Sequence, residues 1–172
     1  MDEVMELPKR KQIRLREYDY SSAGAYFVTV CVEGRHHLFG EITKDDVGAH
    51  LCVRPNRPDL LITKWLLEIQ NKYTGVFVDC YNVMPDHVHF VLVITGEHTG
   101  SPLPEMVQWF KTQTTNEYIR GVKKGLYQPF TKKLWQRNYF EHIIRNRDDL
   151  LETRRYIEAN PLRWYYKHNM KE

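Results

Sequence analysis

The chain predicts an α+β fold, with helices packed on a single antiparallel sheet. Two observations carry this. Residues 25–33 (AYFVTVCVE), 75–83 (GVFVDCYNV) and 87–95 (HVHFVLVIT) are rich in β-branched and aromatic residues, the signature of strands. Residues 59–73, 104–121 and 147–161 instead repeat their apolar side chains at helical spacing.

Taken in order, residues 1–17 read as a basic arm before a single domain spanning residues 18–172. The first strand is followed by GRHHLFGEI, a turn leading into a second short extended piece, and by the polar loop TKDDVGAHLCVRPNRP. The helix over 59–73 carries Leu60, Leu61, Trp65, Leu66, Ile69 and Tyr73 on its inner face, with Asp59 as N-cap. Residues 75–83 and 87–95 form an antiparallel hairpin through a tight MPD connection. The helix over 104–121 turns Val107, Phe110, Thr114 and Tyr118 inward and ends at Gly121. LWQRNYFEHIIRN gives a strand over its second half. The last helix, over 147–161, stops at the Asn160–Pro161 pair, because a residue before proline is pushed out of the helical region.

Composition narrows the class. The 172 residues are 42% hydrophobic and 27% charged, ordinary for a soluble globular protein. No apolar run approaches the roughly 20 residues of a membrane helix. The start, MDEVMELPKRKQIRLREYDY, lacks the apolar core of a signal peptide. Cys31, Cys52 and Cys80 are odd in number and widely spaced, so neither a disulfide framework nor a CxxC site is expected, and a reduced cytoplasm is.

The net charge of +3 is unevenly spread. Lys9, Arg10, Lys11, Arg14 and Arg16 crowd the arm, and a second basic stretch includes Lys111, Lys123, Lys124 and Arg137. Tyr127, Trp135 and Tyr139 are interleaved with the second group. Cations for phosphates and flat rings for bases are what a single-stranded nucleic-acid groove needs. A solvated face over ordinary core aromatics gives the same pattern.

The chemistry-bearing stretch is MPDHVHFVLVI. In a strand, alternate residues share a face, so His87 and His89 stand side by side. The pair reads either as a bidentate metal clamp or as two neighbouring core histidines. RRYIEANPLRW adds Tyr156 and Asn160, four apart and therefore on one helix face. A tyrosine can attack phosphorus once a metal has drawn charge from the phosphoryl oxygens, and an asparagine offers an amide oxygen beside two imidazoles. Tyr156 could equally be a core aromatic. Tyr139 ranks second as a nucleophile, because Ile143 stands at i+4 where an amide would be needed.

Four blocks, IRLREYDYSSAGAYFVTVCVEGRHHLFGEI, MPDHVHFVLVI, LWQRNYFEHIIRN and YIEANPLRW, together resemble the REP-associated tyrosine transposases. These belong to the single-tyrosine HUH transposases, which are insertion-sequence-200-like. The resemblance implies a ferredoxin-like antiparallel sheet with helices packed on it, the HUH endonuclease fold. It also implies that His87 and His89 are metal ligands, Tyr156 the nucleophile and Asn160 the third ligand. Mg²⁺ or Mn²⁺ would be the cofactor, and a covalent 5′-phosphotyrosine the intermediate. Single-stranded DNA beside hairpins would be the substrate of a monomer or homodimer in the bacterial cytoplasm. The family's usual phrase is closer to M-P-N-H-V-H, and Asp86 in place of the asparagine reads as turn chemistry. A non-cleaving binder of palindromes and a phosphodiesterase using water are the competing readings.

Overall fold

A computed structural model describes residues 18–42, 57–96 and 102–169. The basic arm, with Lys9, Arg10, Lys11, Arg14 and Arg16, lies outside the described residues.

Strand β1 (Gly24–Cys31) leads through a 3-10 turn (Glu33–Arg35) to the segment before helix α1 (Pro58–Lys72). Strands β2 (Val76–Met84) and β3 (His87–Ile94) form the expected hairpin. Helix α2 (Leu103–Lys123), strand β4 (Phe140–Ile144) and helix α3 (Arg147–Asn169) complete the order. The four strands pair antiparallel in the order β2-β3-β1-β4. Because β3 sits between β1 and β2, the β1–α1–β2 connection is a split βαβ unit, and the whole is the ferredoxin-like arrangement.

The two faces of the sheet are put to different uses, and the period of two in the strands decides which side chain goes where. Tyr26, Val28 and Val30 of β1, with Val88, Phe90 and Leu92 of β3, bury against Ile62, Leu66 and Ile69 of α1 and Met106, Val107 and Phe110 of α2. The opposite face presents Phe27 and Val91, which pack with Ile144 and Ile157. Two helices therefore seal one face, while among the described residues α3 alone lies across the other. Truncating a fully buried ring such as Phe110 to alanine would cost roughly 3–5 kcal/mol.

Several expectations are corrected. Residues 36–42 form no strand, since their main chain follows a turn that ties Phe39 N–H to Pro85 O at 3.0 Å. Leu60 is exposed and Ile62 takes its place inside. Arg57, not Asp59, occupies the N-cap of α1, with Pro58 at the first helical position. Gly121 does not end α2, which runs to Lys123. It is small because the Tyr127 ring lies where a side chain would be, 2.1 Å from an ideal Cβ. Most consequentially, α3 does not stop at Asn160. It continues through Pro161 to Asn169.

Candidate active site

The Pro85–Asp86 turn reverses the chain immediately before His87, which puts both histidines at the head of β3. His89 lies between Thr29 on β1 and Asn82 on β2, and His87 between Cys31 and Met84. Opposed positions in a ladder share a face. That face is the one covered by α3.

The two imidazoles converge, with their Nε2 atoms 3.0 Å apart. Each ring is held from behind through Nδ1. His87 Nδ1 is 2.5 Å from Asp86 Oδ1, and Arg35 Nε reaches Asp86 Oδ2 at 2.7 Å. His89 Nδ1 is 2.7 Å from Thr29 Oγ1. A carboxylate only accepts, so Nδ1 of His87 carries a proton, and in the neutral ring the Nε2 lone pair then faces its neighbour. The Thr29 hydroxyl accepts as well as donates, which lets His89 adopt the same tautomer. Burial first, then the charges of His87 and Arg35, pushes the His89 pKa down to about 3, so this imidazole is neutral at ordinary pH. Burial works against ionising Asp86, but the His87 hydrogen bond and the charges of His87 and Arg35 outweigh it and hold the carboxyl below the usual carboxylate range.

Asp86 is therefore more than turn chemistry. It is buried, at 3% exposed, and is the acceptor that sets the His87 tautomer. Thr29 and Arg35 are site residues that the sequence pattern does not single out. Thr29 carries one available signal, the single polar side chain among those that share the histidines' face on β1 with Ala25 and Phe27.

Helix α3 supplies the rest. The Tyr156 ring meets His89 edge to face at 5.4 Å and Phe27 at 5.9 Å, while Trp164 packs against His87 at 5.8 Å. Asn160 stands midway, one turn from each, and is 9% exposed. Tyr156 is 40% exposed, so its ring rests on the site while the residue stays accessible to incoming molecules. The Arg163 guanidinium lies 5.9 Å above the Tyr156 ring.

Two contacts fix α3 on the sheet. Arg154 forks onto Asp79, which sits at a bulge in β2, with Nε to Oδ2 at 2.8 Å and a second bond from Nη2 to Oδ1. Asn82 Nδ2 donates to Ile157 O at 3.3 Å. Among the described residues no group of three His, Cys, Asp or Glu side chains is placed to hold a metal.

The family model for IS200-like transposases matches residues 21–160. The chain belongs to that family. A Haemophilus influenzae protein of uncharacterised role is 30% identical over 167 residues, covering 90% of this chain and 89% of its own. A second protein of that organism, named provisionally as a REP-associated tyrosine transposase, is 27% identical over 93 residues, 52% of each chain. A solved REP-associated tyrosine transposase, bound to a REP hairpin, superposes with a TM-score of 0.60 at 18% identity. It covers 94% of this chain and 76% of its own, and it shows the shared fold.

The transposase scatters the remaining expected DNA-contacting residues. Lys123, Lys124 and Arg137 are exposed. Lys111 is not a phosphate contact: it is buried, and its Nζ donates to Gln136 O at 2.7 Å and Arg137 O at 2.9 Å. Trp135 is 3% exposed, with Nε1 bonded to Thr114 Oγ1 at 2.8 Å, and Tyr139 is 9% exposed. Both are core rings, closed to base stacking. Tyr127 packs on Tyr118 at 5.0 Å. His142 is drawn to Asp149 at 2.9 Å, away from the histidine pair. No helix among the described residues is long and apolar enough to cross a membrane.

Proposed function

We propose that this transposase nicks single-stranded DNA beside hairpins and holds the cut strand as a 5′-phosphotyrosine on Tyr156. The observation that carries the reading is the convergence on one face of two facing imidazole nitrogens, a buried amide and an accessible phenol. The REP hairpin held by the solved relative supports hairpin DNA as the substrate class.

Family membership implies a divalent metal ion, and the donor set fits one. Two imidazole nitrogens 3.0 Å apart are close enough to share one ion, and with both ring protons on Nδ1 their lone pairs face each other. Adjacent ligands of an octahedral ion, at about 2.1 Å from it, stand about 3.0 Å apart. His87, His89 and Asn160 would hold it, and two nitrogens with one amide oxygen suit Mg²⁺ or Mn²⁺ while leaving positions open. Such an ion, when bound, supplies Lewis acidity at a phosphoryl oxygen.

The chain's own groups do the rest. Asp86 and Thr29 keep the two rings aimed, and α3 holds the Tyr156 ring beside them. The Tyr156 oxygen forms a bond to phosphorus as the P–O3′ bond breaks. The phenolic proton passes to solvent, and O3′ takes up a proton from water. Arg163, close to the Tyr156 ring, offers charge to the phosphate in flight. Because the product is again a phosphodiester, a 3′-hydroxyl can reverse the step and join strands without ATP.

The working unit is taken to be a monomer, in which one chain supplies both histidines, Asn160 and Tyr156. A single domain over residues 18–172, a basic arm that grips backbone phosphates and action in the bacterial cytoplasm complete the reading.

The test is an SDS gel of the protein with Mn²⁺ or Mg²⁺ and 3′-labelled single-stranded oligonucleotides drawn from palindromes flanking its gene. A labelled band at protein size that vanishes in Tyr156→Phe is expected. Cleavage without that band, persisting in the variant, would identify a phosphodiesterase using water. Tight binding without cleavage would identify a hairpin binder.

A further inference from the structure

Beyond Asn160, the same face of α3 carries an aromatic cluster that the chemistry above leaves unused. Trp164, half-buried, leans on His87. One turn on, His168 stacks face to face on Trp164, with centroids 4.2 Å apart and planes at 21°. His37, arriving from the segment after the 3-10 turn, meets Trp164 at 5.3 Å and His168 at 6.0 Å, both edge to face. His37 and His168 are exposed, so the cluster is no part of the core.

The geometry points to a stacking platform for the unpaired base immediately 5′ of the scissile phosphate. This rests on the transposase reading above. In-line displacement puts the leaving oxygen on the side of phosphorus opposite the attacking one. Tyr156 stands at the His89 end of the histidine pair and Trp164 at the His87 end. An O3′ leaving away from Tyr156 therefore departs towards Trp164, and the nucleotide that owns this O3′ is the one 5′ of the cut.

The cluster is suited to that nucleotide. Trp164 is wedged between His87, His37 and His168, and His168 Nδ1 is tied to Trp164 O at 2.9 Å. Rings already fixed in place lose little side-chain freedom when a base settles on them. An aromatic face accepts any base, so the platform adds affinity and holds the leaving strand after the cut without reading sequence. That retention matters to a strand-transfer enzyme, whose freed 3′-hydroxyl has to stay within reach of the adduct.

The decisive experiment pairs protein and DNA changes. The cleavage position is first mapped on the parent protein by its 3′-labelled adduct. Oligonucleotides then carry an abasic nucleotide either directly 5′ or directly 3′ of the cut. Affinity is read by fluorescence anisotropy in EDTA, and cleavage in Mn²⁺. Trp164→Leu and the exposed His168→Ala are each expected to weaken binding of the intact strand by roughly 5- to 100-fold. The 5′ abasic site should weaken the parent similarly and erase the difference between parent and variants, whereas the 3′ abasic site should leave that difference intact. Variants that bind like the parent, or that lose equally on intact and 5′-abasic strands, would overturn the platform. His168→Ala removes only an exposed ring near the helix end, so it decides the matter if Trp164→Leu misfolds. A parent that cleaves through Tyr156 but shows no coupling to the 5′ base sinks the platform alone. A parent that forms no adduct sinks the transposase reading with it.

Discussion

The side-chain amide of Asn82 donates to the main-chain carbonyl of Ile157 at 3.3 Å, across 75 residues of sequence. Ile157 is the residue four before Pro161, and proline has no N–H to complete that turn of helix. Asn82 thus supplies from the sheet the donor that the helix lacks. It does so beside His89, its ladder partner, and so ties the strand bearing the histidines to the helix bearing Tyr156 and Asn160.

Asn82→Val is expected to lower stability by about 1 kcal/mol, the net worth of a typical hydrogen bond. In a Pro161→Ala background residue 161 can donate to Ile157 O itself, and the same substitution should cost no more than a few tenths. Urea unfolding of the four proteins in the cycle measures the coupling. An equal loss in both backgrounds would mean that Asn82 contributes by packing and not through this carbonyl.

The ligand-orienting bonds make a second prediction. Thr29→Val and Asp86→Ala leave both imidazoles in place but remove the group that fixes each ring. Substitution of such partners typically weakens metal binding about 10- to 100-fold. Mn²⁺ titration followed by electron paramagnetic resonance reads this directly, and cleavage should recover at high Mn²⁺. Unchanged affinity in both variants would show that the histidines need no such support.

Buried and exposed cations should separate cleanly. Replacing Lys123, Lys124 or Arg137 with alanine should weaken single-stranded DNA binding and flatten its dependence on log salt by about 0.7 for each phosphate that is no longer neutralised. Lys111→Met should leave that slope alone and instead destabilise the fold by roughly 1–3 kcal/mol, because the Gln136 and Arg137 carbonyls lose their donor. A slope that falls in Lys111→Met would return this residue to the DNA surface.

The Asp79–Arg154 fork gives a pH signature. The hydrogen bonds from Arg154 outweigh burial and hold the Asp79 carboxyl below its ordinary value. A group whose folded pKa is depressed stabilises the fold above its unfolded pKa, about 3.9, and loses that contribution as pH falls through the folded value. Asp79→Asn should therefore lower Tm most near neutral pH, with the gap to the parent closing below about pH 4. A gap that is constant with pH would mean that the carboxylate charge is not what binds α3.

Much of this protein is written locally. The alternation in β1 and β3 depends on each residue's own place in the pleat, so strand identity, the shared face of His87 and His89, and the turn before them are all legible in short windows. The one-turn spacing of Tyr156 and Asn160 is equally local, because helical geometry fixes it whatever the neighbours are. What the tertiary structure alone decided depends on partners far away in sequence. Pro161 reads as a stop by its own chemistry, and only the Asn82 donor shows how the helix passes it. Lys111, Trp135 and Tyr139 read as a basic aromatic surface, and only burial turns them inward. Asp86 reads as a turn residue until His87 and Arg35 fold onto its two oxygens. In each case a hydrogen bond or a burial free energy supplied by distant residues outweighs a local preference of a few kcal/mol at most, and such a competition has no trace in the local sequence.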